Sequence, residues 1–289
     1  MCSVRWAAPA LPSCWSWLSA SLLALLLASL SALAQDNYEI QVYASETVAP
    51  GDTMVELHSN FTARGQKMVV DGVLPSQHAE HETLEVTHGF SDWFETGFYV
   101  FTTIQPDGGW QWVGDHLRPR VRIPESWHWP IGISLSTEIG YVRRQFAPDT
   151  WTIELRPIVD RQMGPWYLAF NPALERSFHG ASVNQGVGFS PAVKASYNFS
   201  KQIAGGLEYY GSTGPIFNPD TFKQQSHQFF PTLDLNVSPL WEINFGVGIG
   251  VTRSTDHLII KTIIGRRFSW PGRKVRAKIP ASAWVKSSR

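Results

Sequence analysis

The stretch LRPRVR, residues 117–122, sets three guanidinium groups two residues apart. Alternate side chains of an extended chain share a face, so Arg118, Arg120 and Arg122 stand together as a cationic ladder. Segments with the same alternation add Arg156 and Lys194, and against these cations stand Glu56, Glu95, Glu138, Glu154 and Asp234. On one shared inner wall such groups would guide a charged solute through a constriction. The same charges also fit a second role, as internal salt bridges that fill a narrow interior and support its wall.

Bond-making chemistry has little to stand on. No serine or carboxylate forms a recognisable catalytic motif with a histidine; Ser226 and His227 come nearest, and neighbours on a strand point to opposite faces. An enzyme is not expected, with a membrane-embedded hydrolase kept as the outside alternative. His78, Glu80, His81 and Glu82 sit in a long loop, where H-x-x-H fits a solvated polar segment better than a surface ion site. No metal and no other cofactor is expected.

The elements that hold these groups follow from alternation. In WEINFGVGIGVT (241–252), Trp241, Ile243, Phe245, Val247, Ile249 and Val251 take one parity and polar or glycine residues the other, which is the pattern of a strand. Similar segments occur near 53–63, 82–91, 93–104, 115–123, 131–143, 150–162, 165–176, 188–199, 203–212, 226–237 and 257–268. Connections after even strands are mostly tight, such as Ser91-Asp92 and Met163-Gly164, and those after odd strands mostly longer, including 63–81, 105–114, 177–187 and 211–225. Trp93, Phe94, Trp127, Trp129, Trp166, Tyr167, Tyr197, Phe199 and Trp241 gather at the tight-turn ends, where the two faces of a bilayer interface suit an amphipathic ring.

This layout predicts an all-β fold: a closed antiparallel transmembrane β-barrel of about twelve strands, with both termini on the inner side. The apolar parity faces lipid and the charged parity lines the lumen, because a cation at the bilayer midplane costs about 2–4 kcal/mol. Five prolines, Pro119, Pro157, Pro172, Pro191 and Pro231, fall on the outward parity. Since proline removes a ladder donor, they are expected as one belt near the outer interface, where water or a bulge serves the partner carbonyls.

Residues 1–34 carry Arg5, an apolar run over 18–30 and Ala32-Leu33-Ala34, the pattern of a cleaved signal peptide. Both cysteines of the chain, Cys2 and Cys14, lie in it, so disulfides and thiol chemistry are excluded from the mature part. With 24 basic and 24 acidic residues there is no basic field for nucleic acid. Four regions result: the signal, an N-terminal periplasmic segment over 35–52 with an inserted plug as its alternative, the barrel over 53–270, and a basic tail over 271–289. Expected partners are outer-membrane lipid, the barrel assembly machinery and a small solute, with the bacterial outer membrane as the location.

Gly265, Phe268 and Trp270, in G-x-x-F-x-W spacing, resemble the C-terminal signal by which bacterial barrels are recognised for assembly, although Ile263 replaces the usual polar residue and a tail follows. HGFSDWFETGFYVF, LRPRVRIPE, ELRPIV, GLEYYG and IIGRRF together resemble a family of uncharacterised bacterial outer-membrane β-barrels, loosely grouped with phenol-degradation (MetA-like) transporters. The resemblance runs from about Tyr38 to Phe268 and implies the barrel architecture, with no catalytic motif or defined substrate. Function is then passive passage of small polar or charged solutes, or a non-conducting barrel with a binding or envelope-structural role through its outer loops.

Overall fold

Alternating chains with polar groups on one parity can satisfy every backbone group by closing into a cylinder. A computed structural model of the chain describes residues 37–269; the expected signal peptide, Trp270 and the basic tail lie outside them. Twelve strands form one closed antiparallel barrel: β1 (Asp52–Arg64), β2 (Glu80–Gly89), β3 (Phe94–Gln105), β4 (Gly109–Arg122), β5 (Gly132–Val142), β6 (Asp149–Met163), β7 (Trp166–Gly180), β8 (Gly188–Asn198), β9 (Ile203–Ser212), β10 (Ser226–Ser238), β11 (Trp241–Gly250) and β12 (Leu258–Ser269). Each strand pairs with its sequence neighbours, and β1 closes on β12 from Asp52 opposite Ser269 to Arg64 opposite Leu258.

Burial follows the pleat. In β1, Asp52, Met54, Glu56, His58, Asn60 and Thr62 are buried inside while Leu57 is 43% exposed outside. Leu84, Phe98, Leu117, Leu155, Phe170, Leu207, Phe245 and Ile264 repeat that exposure around the outer wall. A continuous apolar surface of this extent is foreign to water-soluble monomers, and it suits hydrocarbon.

The outer wall carries aromatic residues at both ends. Trp93, Trp127, Trp129, Trp166 and Trp241 are exposed at the tight-turn end. A second set stands at the loop end, where Tyr141 packs between Trp112 and Trp151 with ring centroids 6.0 and 5.5 Å away. Tyr167 departs from the expected girdle: it faces inward and donates to Asp160 at 2.9 Å.

Three further expectations need correction. Residues 105–114 do not form a long loop: β4 begins at Gly109 and pairs back to Gln105, leaving a short turn that Gly109 makes at φ +64°. The prolines do not form one belt. Pro157, Pro172 and Pro191 line up across three adjacent strands, with Pro172 directly opposite Pro191. Pro119, by contrast, lies near the tight-turn end of β4, and Pro191 lies near the loop end of β8. The ladders break where the missing N–H requires it: β4 and β5 lose pairing between Leu117 and Arg120, β6 and β7 between Leu155 and Val159, and β10 and β11 between Phe229 and Thr232.

The third correction is the largest. The segment before β1 is not periplasmic over its described part: Tyr38, Glu39, Ile40, Val42, Tyr43, Ser45 and Thr47 are all buried inside the barrel. It starts at the loop end, where the Asn37 side chain donates to Asp256 of the β11–β12 turn at 2.5 Å. It then descends the lumen and turns at Gly51, φ +80°, whose N–H donates to the Gly89 carbonyl at 2.7 Å. Gly89 has no side chain at that crossing because a Cβ there would stand 2.2 Å from the Val48 carbonyl oxygen. Strand β1 then runs back up. The alternation of Tyr38, Ile40 and Val42 thus has a physical cause: these side chains pack on an inner wall.

Candidate functional site

An irregular segment inside a barrel carries backbone donors and acceptors that no ladder serves, so the wall must supply them. The lumen-facing side chains do so along its whole length. Thr83 Oγ1 donates to the Tyr38 carbonyl at 2.6 Å, and Lys261 Nζ to the Ile40 carbonyl at 3.1 Å. The Asn171 amide clamps Tyr43 at two points, accepting from its N–H at 2.7 Å and donating to its carbonyl at 3.0 Å. Asp160 accepts from the Ser45 N–H at 2.8 Å and hydroxyl at 2.7 Å. Arg120 donates to the carbonyls of Ala44 and Glu46, both at 3.0 Å, and the Val48 N–H donates to Glu95 at 2.5 Å.

Tyr43 is the centre of the arrangement. The guanidinium carbons of Arg118, Arg156 and Arg120 lie 4.7, 5.0 and 5.8 Å from its ring centroid, within cation–π range. Its hydroxyl contacts the Glu39 carboxylate and stands 3.2 Å from the Tyr99 hydroxyl. Each of the three cations is also paired. Arg118 contacts Glu85 and lies 3.8 Å from Glu95, and Arg120 contacts Glu95. Arg156 bridges Glu154 at 2.6 Å and Glu39 at 3.2 Å. Lys194 joins Asp234 at 2.9 Å and Glu208 at 3.0 Å, and Lys261 shares Glu208 at 2.5 Å. Glu138 contacts His116.

The structure therefore brings together most of the charges chosen from sequence, in the ion-paired arrangement of the second reading. Arg118, Arg120, Arg156, Lys194, Glu95, Glu138, Glu154 and Asp234 all take part in ion pairs, and Arg118, Arg120, Arg156 and Glu95 also touch the inner segment. Arg122 separates from the ladder: it bonds its own neighbour's carbonyl at Ile123 and an exposed Glu125, 3.4 Å away, at the turn end. Glu56 faces the lumen and makes no ion pair among the described residues. Gly265 pairs with Glu56, and Phe268 is an exposed residue at the end of β12.

Glu39, Tyr43 and Glu85 are the functional residues that sequence reasoning missed. Glu85 was within reach, since Leu84 and Val86 flank it with the outward parity. Glu39 and Tyr43 required knowing that their segment enters the barrel. The histidine cluster disperses: His81 lies inside β2 against the Tyr38 ring, 4.8 Å between centroids, while Glu82 accepts from Ser59 on the outer side. Ser226 is buried in the lumen, whereas His227 on the outer side meets the Tyr209 hydroxyl at 2.8 Å, so the two cannot act together.

Below Tyr43, toward the tight turns, a cavity of about 180 Å³ remains, lined by Glu56, Glu85, Arg120, Asp234, Glu242 and Arg267 among others. Above it, Tyr38, Phe101, Val113 and Val142 pack as one apolar cluster, and Ile40, Tyr210, Phe230 and Ile259 belong to a second.

No family model matches the chain, and no curated protein matches it in sequence. Among solved structures, it is similar in shape to the KdgM porin, at 11% identity and a TM-score of 0.48 over 75% of this chain and 99% of that one. The NanC porin gives 8% and 0.48 over 75% and 100%, and Omp33 of Acinetobacter baumannii 9% and 0.41 over 75% and 98%. At these values the likeness transfers no substrate or site.

Proposed function

We propose that the protein is an outer-membrane β-barrel for passage of small polar or charged solutes, closed at rest by its own segment 37–48. The observation that carries this is the clamp on that segment: charged and amide side chains of the wall hold its backbone at Ile40, Tyr43, Ala44, Glu46 and Val48. Polar clamps in a partly hydrated lumen exchange with water far more readily than apolar packing does, so the same contacts that close the barrel permit release. The apolar outer wall with aromatic residues at both ends supports a bilayer location. The resemblance noted from sequence adds no substrate.

Planar-bilayer recordings test the proposal. The mature chain should show rare, brief openings, and a variant lacking residues 35–48 should show stable conductance of larger amplitude. Folding of the variant is checked by heat-modifiable migration on a gel. A well-folded variant that stays electrically silent would overturn the channel. The exposed aromatics of the β9–β10 loop, Phe217 at 96% and Phe222 at 65%, favour the second role in that event, a closed barrel that binds through its outer loops.

A further inference from the structure

Glu56 of β1 and Glu85 of β2 are direct partners across an antiparallel ladder, both pointing into the lumen. Like charges so placed destabilise a sheet unless a positive group lies between them. His58, two residues further along the same face of β1, is fully buried, and Glu56 and Glu85 are 7% and 1% exposed. One ligand atom from each of the three residues lies within 4.8 Å of the others.

The unused valences converge as well. Glu56 Oε1, Glu85 Oε2 and both ring nitrogens of His58 have no hydrogen-bond partner among the described residues. His58 Nε2 lies 3.5 Å from Glu85 Oε2, too far for a hydrogen bond and close to the separation of two ligands on one ion. Arg118 occupies the other oxygen, Oε1 of Glu85, and so fixes the carboxylate with Oε2 turned to the group, as outer-shell partners of metal ligands do.

We propose that Glu56, His58 and Glu85 form a binding site for a divalent first-row transition-metal ion, with Zn²⁺ as its simplest occupant. One imidazole nitrogen and two carboxylate oxygens are a donor set of that class, and donors at roughly 2.0–2.2 Å from one ion need only small rotations from the observed positions. Calcium and magnesium, which take oxygen alone, are a poorer fit. The ion arrives from the tight-turn side, since Glu56 and Glu85 line the cavity there. It screens the facing carboxylates and keeps one coordination position toward the cavity for water or an anionic group.

The test uses the untagged, detergent-folded full mature chain, stripped with chelator and titrated with Zn²⁺ by calorimetry. One ion per chain is expected. His58→Ala and Glu56→Gln should each weaken binding by more than the ~10–100-fold that loss of an outer-shell partner costs. His257→Ala, an exposed loop change, should leave it intact. X-ray absorption at the zinc edge of the wild-type chain should show nitrogen and oxygen neighbours with imidazole scattering, a readout that does not depend on whether a variant folds. Absence of stoichiometric binding, equal loss in His257→Ala, or a shell without imidazole would overturn the site.

Discussion

The two halves of the lumen close the same barrel by different physics. Toward the loops, the inner segment meets Phe101, Val113, Tyr210, Phe230 and Ile259, an apolar and aromatic packing around the buried pair of Lys261 with Glu208. Toward the tight turns it meets Arg120, Asp160 and Glu95, beside a cavity of about 180 Å³. Apolar packing gives a seal that ionic strength does not reach. Paired charges next to water give a hold that salt, protons and ligands can weaken. Salt-insensitive packing thus predominates in the upper half and salt-sensitive pairing in the lower.

That contrast can be broken in several places. The largest effect is expected for Arg118→Ala, which leaves Glu85 buried without its cation and should lower stability by about 3–5 kcal/mol, read as the denaturant midpoint in detergent. Adding Glu85→Gln should recover part of that loss, and no recovery would show that packing on Tyr43 and Tyr99 was the greater contribution.

Phe230→Ala in the upper half should cost about 3 kcal/mol, toward the low end for a buried phenylalanine because the remaining lumen can admit water. Single-channel current should stay closed, since the lower clamp is intact. Openings as frequent as those of a lower-half variant would erase the division.

Asn171→Ala removes both hydrogen bonds to the Tyr43 backbone and should cost about 1–3 kcal/mol. Its sharper readout is conductance, with frequent openings expected. Arg122→Ala should be the mildest change, at most ~1 kcal/mol, because its partner Glu125 is 66% exposed and 3.4 Å away, so removing the cation strands no buried carboxylate. A shift in ion preference as large as that of Arg120→Ala would restore the three-rung ladder.

The barrel was legible in the chain because lipid and lumen impose a period of two, carried most cleanly by β1, β2 and β3. The start of β4 was hidden because Asp107-Gly108-Gly109 resembles a flexible loop, while a tight turn needs only those residues. Membership of the lumen followed parity for Glu95, Arg118, Lys194 and Asp234. Pairing did not follow, since register across strands and the path of an inserted segment are long-range facts. Arg122 shows the limit: it keeps the parity of Arg118 and Arg120, yet it bonds the Ile123 carbonyl and Glu125 at its own strand end instead of the inner segment. The prolines show another. Their common parity is local, but their heights depend on the stagger between strands.

The route of residues 37–48 also constrains assembly. The inner thread and β1 are two arms of one hairpin, and the seam between β1 and β12 encircles the inner arm. A cylinder zipped shut beforehand would have to draw Tyr43 past three guanidinium groups already bound to carboxylates. The order with the lower barrier lays the thread against the open sheet and joins first strand to last around it, so that the final pairing event encloses the thread.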